Sequence, residues 1–122
     1  MNEFKKALFA ISLFLFPSAL FAGAPSKVSI SNEGKMLYIL IAHETSDPSE
    51  HFIKEIEIFH NGNFIFAFEP FAQENEKQQS FTYGITDLKP GDKIQVKTKC
   101  NKSGSKTATY TAQKGDIPDR RL

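Results

Sequence analysis

The sequence has one cysteine, no tryptophan and three histidines in 122 residues. A lone Cys100 cannot form an internal disulfide, and it rules out CxxC redox motifs and cysteine-rich zinc ribbons. There is no G-x-S-x-G turn and no glycine-rich phosphate loop, so neither a nucleophile elbow nor a nucleotide cradle is present. A surplus of charge is missing too: 15 basic and 14 acidic residues give a formal charge of +1. A chain this neutral is poorly suited to nucleic acid or anionic membranes, which select basic surfaces. Runs with helical periodicity are absent after the first 22 residues, as are repeats and low-complexity tracts.

The N-terminus has a pattern of its own. Lys5 and Lys6 precede an apolar run from Ala7 to Phe16, Pro17 breaks it, and Ala22, Gly23 and Ala24 follow. A basic region, a short apolar run and a small-residue site make a secretory signal peptide. The run is also shorter than the roughly 20 residues a membrane span needs. Residues 1–22 are therefore expected to be removed, leaving Gly23 as the first residue of an exported, periplasmic protein. Removing Lys5, Lys6 and Glu3 takes the 15 basic and 14 acidic residues to 13 of each. A neutral domain of about 100 residues folds without disulfides, though with little stability to spare.

What remains is rich in Ile, Val, Phe and Tyr in short runs, separated by Gly, Pro, Asn and Asp. That pattern predicts strands at 27–31, 36–42, 53–60, 63–69, 79–84, 93–100 and 106–112. Seven short strands without a helix predict an all-β, immunoglobulin-like antiparallel β-sandwich. "MLYILIA" is apolar without alternation, which predicts a central strand covered on both faces. Asn61-Gly62 predicts a two-residue type I′ hairpin and Pro90-Gly91 a type II turn. Residues 23–35 form an N-terminal segment with the first strand, 36–112 the rest of the domain, and 113–122 a polar tail.

A two-residue loop at Asn61-Gly62 pairs His60 with Asn63, Phe59 with Phe64, Ile58 with Ile65, Glu57 with Phe66 and Glu55 with Phe68. Alternation then puts Ile56, Ile58, Ile65 and Ala67 on one face, and Phe59, Phe64, Phe66 and Phe68 with Glu55 and Glu57 on the other. Both faces are apolar, whereas an exposed sheet ordinarily has one polar face. The aromatic face needs a cover, either the loop "EPFAQENEKQQ" or another protein. Glu55, Glu57, Phe64, Phe66 and Phe68 are accordingly the candidate partner-binding residues.

His43, His51 and His60 lie within one short stretch. A strand rises roughly 3.3 Å per residue, so the nine residues from His51 hold His60 about 30 Å away. His43 and His51 bracket a loop that brings them within reach of each other. Cys100 ends the strand "IQVKTKC", sharing a face with Ile94, Val96 and Thr98. His43, His51 and Cys100 are thus the metal candidates that the sequence offers, against a plain reading of Cys100 as a small buried apolar residue. Their spacing matches no compact metal motif, so no metal, cofactor or catalytic residue is expected.

"LIAH", "EHFIKEIEIFHNGNFI", "SFTYG" and "KPGDKIQV", in that order from about Leu37 to Ala112, resemble the SoxZ family. This is the immunoglobulin-like subunit of a sulfur-oxidation carrier complex. The resemblance implies a periplasmic scaffold without catalytic chemistry, forming a heterodimer with a SoxY-like sulfur-carrier protein in thiosulfate oxidation. The chain departs from the family in a shorter loop after His43, in a signal of its own and in Cys100. A weaker echo is of superoxide reductase: "EHFI" and "CNKSG" are similar to two of its ligand segments, matching His51 and Cys100, with His43 an approximate third. Ser103 stands where that pattern has a histidine, and an iron site of four histidines and a cysteine exceeds the three histidines available.

Overall fold

A computed structural model describes residues 23–114, so the expected signal peptide (residues 1–22) and most of the polar tail lie outside the described residues. Seven strands follow in order: β1 (Lys27–Glu33), β2 (Met36–Ala42), β3 (Ile53–His60), β4 (Asn63–Phe68), β5 (Gln78–Gly84), β6 (Lys93–Cys100) and β7 (Ser105–Thr111). No described residue is in an α-helix. The strands form two antiparallel sheets, ordered β1-β2-β5 and β4-β3-β6-β7. This is the all-β sandwich that strand spacing predicted, with consecutive strands shared between two packed layers.

Alternation determines which side chains meet between the layers. Leu37, Ile39 and Ile41 of β2 face Ile53, Ile56 and Ile58 of β3 and Ile94 and Val96 of β6, all fully or almost fully buried. Removing these side chains from water drives the packing of the two sheets, at about 25 cal/mol per Å² of apolar surface. β3 and β6 are the inner pair of the larger sheet, and β2 is the centre of the smaller one.

The expectation for β2 is corrected on one point. β2 is central, but its second face is open: Met36, Tyr38 and Leu40 are 37%, 42% and 41% exposed. Only one face of β2 meets the other sheet, and no described segment crosses the outside. Its unbroken run of apolar residues therefore signalled an uncovered apolar surface.

The hairpin also differs from its predicted register. Asn61 and Gly62 both have positive φ, 49° and 86°, as a type I′ turn requires. His60 pairs with Asn63 and Phe59 with Phe64, but Ile58 then pairs with Phe66 and Ile56 with Phe68. Ile65 is the extra residue of a β-bulge. A one-residue slip moves every later side chain to the opposite face. Phe66 and Phe68 consequently lie on the side of Ile58 and Ile56, Phe68 packed against the core and Phe66 at its rim and still 38% exposed, while Phe64 stays outside with Phe59, Glu55 and Glu57. The five candidate partner residues do not form one surface. Nor does the loop after β4 cover the phenylalanines. Phe81 and Tyr83 of β5 meet them from the other sheet: Phe68 stacks on Phe81 at 4.6 Å, and Phe66 lies 5.7 Å from Phe81 and 5.2 Å from Tyr83.

These stacks close the open side of the sandwich between the edge strands β4 and β5. Phe66→Ala removes two aromatic contacts and part of the apolar packing, and is expected to lower stability by about 2–3 kcal/mol. Phe64 is 57% exposed and touches Phe59 edge-on at 5.7 Å. Phe64→Ala is expected to cost less than about 1 kcal/mol. Urea denaturation of the two variants checks the order, and equal losses would contradict the bulged register.

Candidate functional site

At one end of the sandwich His43, His51 and Cys100 converge, their nearest ligand atoms all within 4.8 Å of one another. Two of the chain's three histidines and its only cysteine therefore meet, although 49 residues separate His51 from Cys100. His51 Nε2 lies 3.0 Å from Cys100 Sγ. The two imidazoles stand edge to face, with centroids 4.7 Å apart. His43 is fully buried, Cys100 is 5% exposed and His51 is half-buried, so one side of the cluster is reachable from solvent.

Each member is held by backbone and amide hydrogen bonds. β2 ends at Ala42, and the backbone N–H groups of His43 and Thr45 donate to the carbonyls of Lys77 and Glu76 at 2.9 Å. The loop then turns at Asp47, whose carboxylate accepts from the Ser49 hydroxyl and backbone N–H and is held below the ordinary carboxylate range mainly by that hydroxyl. The Asp47 carbonyl accepts from the N–H of His51. Asn101 fixes the other side. Its side chain accepts from Phe52 N–H at 2.9 Å and donates to the Glu50 carbonyl at 2.9 Å, and its own N–H donates to the Phe52 carbonyl. Residues 50–52 are thereby clamped to the residue after Cys100. The Lys102 N–H points at Cys100 Sγ from 3.4 Å, a donor suited to a sulfur that carries negative charge.

Gln73 orients His43. Its amide nitrogen donates to the carbonyls of His43 at 2.7 Å and Asn75 at 2.9 Å, which fixes the amide's direction. Its oxygen must then accept from His43 Nδ1–H, at 2.7 Å. Its Nε2 is the ring nitrogen that faces the cluster, 2.9 Å from the Gly23 carbonyl oxygen. A ligating imidazole ordinarily has its second nitrogen fixed in this way. Sequence reasoning offered His43, His51 and Cys100 as candidates but missed Gln73 and Asn101. Nothing in sequence distinguishes a buried side-chain amide with three hydrogen bonds from any polar loop residue.

His60 takes no part. At the opposite end its Nε2–H donates to Asp92 Oδ2 at 2.8 Å, while Asp92 also accepts from Lys89 N–H and the Asn61 amide. Asp92 thereby ties the β3–β4 turn to the turn before β6. Glu55 reaches Lys99 at 3.5 Å on the outside of the larger sheet, and Lys97 sits over Phe59, so this surface is a solvated, charge-paired face. The outside of the smaller sheet differs. Its central stripe of Met36, Tyr38 and Leu40 is flanked by Ser29 and Ser31 of β1 and Ser80 and Thr82 of β5. Most of these residues line a shallow depression of about 420 Å³.

The hydrogen bond from His60, with those from Lys89 and Asn61, holds the Asp92 carboxyl at a pKa of about 2, against 3.8 ordinarily. A carboxyl depressed on folding contributes stability that is complete above its unfolded pKa near 4 and lost as pH falls through about 2. Asp92→Asn is therefore expected to cost about 1–2 kcal/mol at neutral pH, with the gap to the native protein closing between about pH 4 and pH 2. Thermal melts across that range check it.

Compared with known proteins, the sequence matches no protein-family profile and no curated protein.

Proposed function

We propose that this domain is a non-catalytic binding module whose chemical site is the His43–His51–Cys100 cluster, and that the cluster holds one transition-metal ion. The observation that carries this reading is the convergence itself: two imidazole nitrogens and a sulfur within 4.8 Å, with Gln73 orienting one imidazole from behind. Imidazole and thiolate together suit zinc or copper, at metal–nitrogen distances of about 2.0–2.1 Å and metal–sulfur distances of about 2.3 Å. Those lengths set a nitrogen–sulfur edge of about 3.6 Å in a tetrahedral site. The half-buried His51 needs only a small outward movement from its 3.0 Å contact to reach it. Sequence spacing gave no reason to expect a metal here, because the ligands lie on separate elements. Three protein ligands fall short of the superoxide reductase set, so the reading is of binding and not of that reaction.

Purified residues 23–122 are expected to bind one equivalent of Zn(II) in calorimetry, with Cys100→Ser and His51→Ala each weakening binding at least tenfold. Co(II) in place of zinc is expected to give a thiolate charge-transfer band that disappears in Cys100→Ser. A flat Zn(II) isotherm at micromolar protein would end the proposal.

A second reading rests on a separate observation, the open stripe of Met36, Tyr38 and Leu40 along the centre of the smaller sheet. A solvated sheet face is ordinarily polar. With the resemblance to the SoxZ family, the stripe supports a scaffold role in the periplasm, docking a SoxY-like sulfur-carrier protein. Interface aromatics often cost about 2 kcal/mol or more when lost. Tyr38→Glu is accordingly expected to weaken capture of an exported sulfur-carrier protein about thirtyfold, with the melting temperature nearly unchanged. Intact capture by Tyr38→Glu but not by Phe64→Glu would move the contact to the larger sheet.

A further inference from the structure

The metal cluster has a fourth group aimed into it. The carbonyl oxygen of Gly23 lies 2.9 Å from His43 Nε2 and 3.2 Å from His51 Nε2. One oxygen therefore faces both imidazoles of the proposed site, while Gln73 holds the other nitrogen of His43. A carbonyl placed there makes a group of four donor atoms with the two rings and the Cys100 sulfur.

The carbonyl is held there by the strap that precedes β1. Ser26 anchors it, donating from both its backbone N–H (2.8 Å) and its hydroxyl (3.2 Å) to the carbonyl of Ala42, the residue before His43. Pro25 is buried. On the far side the loop after Cys100 is shaped to receive the strap. Gly104 has φ +88°, and a Cβ there would sit 2.6 Å from the Ala24 Cβ. A Cβ on Gly23 would meet Ser103 Oγ at 3.0 Å. Small residues on both sides therefore let the strap lie against the segment that carries Cys100.

We propose that the backbone carbonyl of Gly23 is the fourth donor of the site, making a set of two imidazoles, one thiolate and one carbonyl that takes copper. The inference rests on the metal reading of the cluster. Two histidines and a cysteine with a weak backbone-oxygen ligand form the donor set of copper–thiolate centres, in contrast to the all-nitrogen-and-sulfur set of closed structural zinc sites. The strap is the part of the site that no side-chain motif encodes. In the processed chain it is also the extreme N-terminus, so the site is complete only where export leaves Gly23 in place.

The test compares two chains, each retaining every strand and every core residue: residues 23–122 with an acetylated N-terminus, and residues 25–122. Acetylation removes the α-amine as a ligand, so the comparison isolates the carbonyl. With Cu(II), the longer chain is expected to show an intense visible thiolate-to-copper band that Cys100→Ser abolishes. The shorter chain is expected to bind copper at least tenfold more weakly, with that band shifted or lost. Equal affinity and identical spectra for the two chains would overturn the role of Gly23 and leave the three-residue site standing. Copper bound without a thiolate band would overturn the copper–thiolate assignment. No copper or zinc bound by either chain would end both readings together.

Discussion

The pairing of β3 with β6 is the contact on which the rest of the molecule depends. Its register sets Ile56 opposite Thr98 and Ile58 opposite Val96, all four side chains fully buried. The same ladder fixes both ends of the domain. At one end Ile53 pairs with Cys100, so the residue two places before β3, His51, arrives beside the sulfur. At the other, His60 pairs with Ile94 and finds Asp92. A slip of one residue would turn Cys100 out of the sandwich and put its apolar neighbours in water. Core packing and the geometry of the His43–His51–Cys100 cluster are therefore enforced by one set of backbone hydrogen bonds.

The two ends use their polar residues differently. Asp92 bonds His60, Asn61 and Lys89 near the surface and braces two turns. Around His43 the hydrogen-bond partners are amide groups, the side chain of Gln73 and the carbonyl of Gly23, with His51 and the sulfur of Cys100 beside them. The sequence already separated His60 from the other two histidines, and the fold places it at the opposite end.

The bulge at Ile65 explains why the five candidate hairpin residues do not share one face. Alternation gave the right face for Glu55 to Phe59 and for Phe64, and the wrong one for Phe66 and Phe68; a second irregularity, between Ile53 and Glu55, brings Ile53 into the core with Ile56. An extra residue in a strand leaves no mark in the pattern when both faces are apolar, because Ile65 and Phe66 are equally acceptable in the core. The stacks with Phe81 and Tyr83 hold it in place, and those residues belong to the other sheet.

Within the described residues, the sequence by itself determined the strands, their order and their turns. β2, β3 and β6 have the predicted limits and the other four strands differ by no more than two residues at an end, because periodicity of two and the preference of Asn-Gly for positive φ are local properties. It also offered His43, His51 and Cys100 as metal candidates, while leading to the expectation of no metal. Only the tertiary structure decided that they meet, that Gln73 and Asn101 position them and that Gly23 closes over them. Those contacts join parts of the chain as much as 57 residues apart, from His43 to Cys100. They follow from sheet register and buried hydrogen bonding, which depend on what lies opposite in space and leave no periodic trace along the chain.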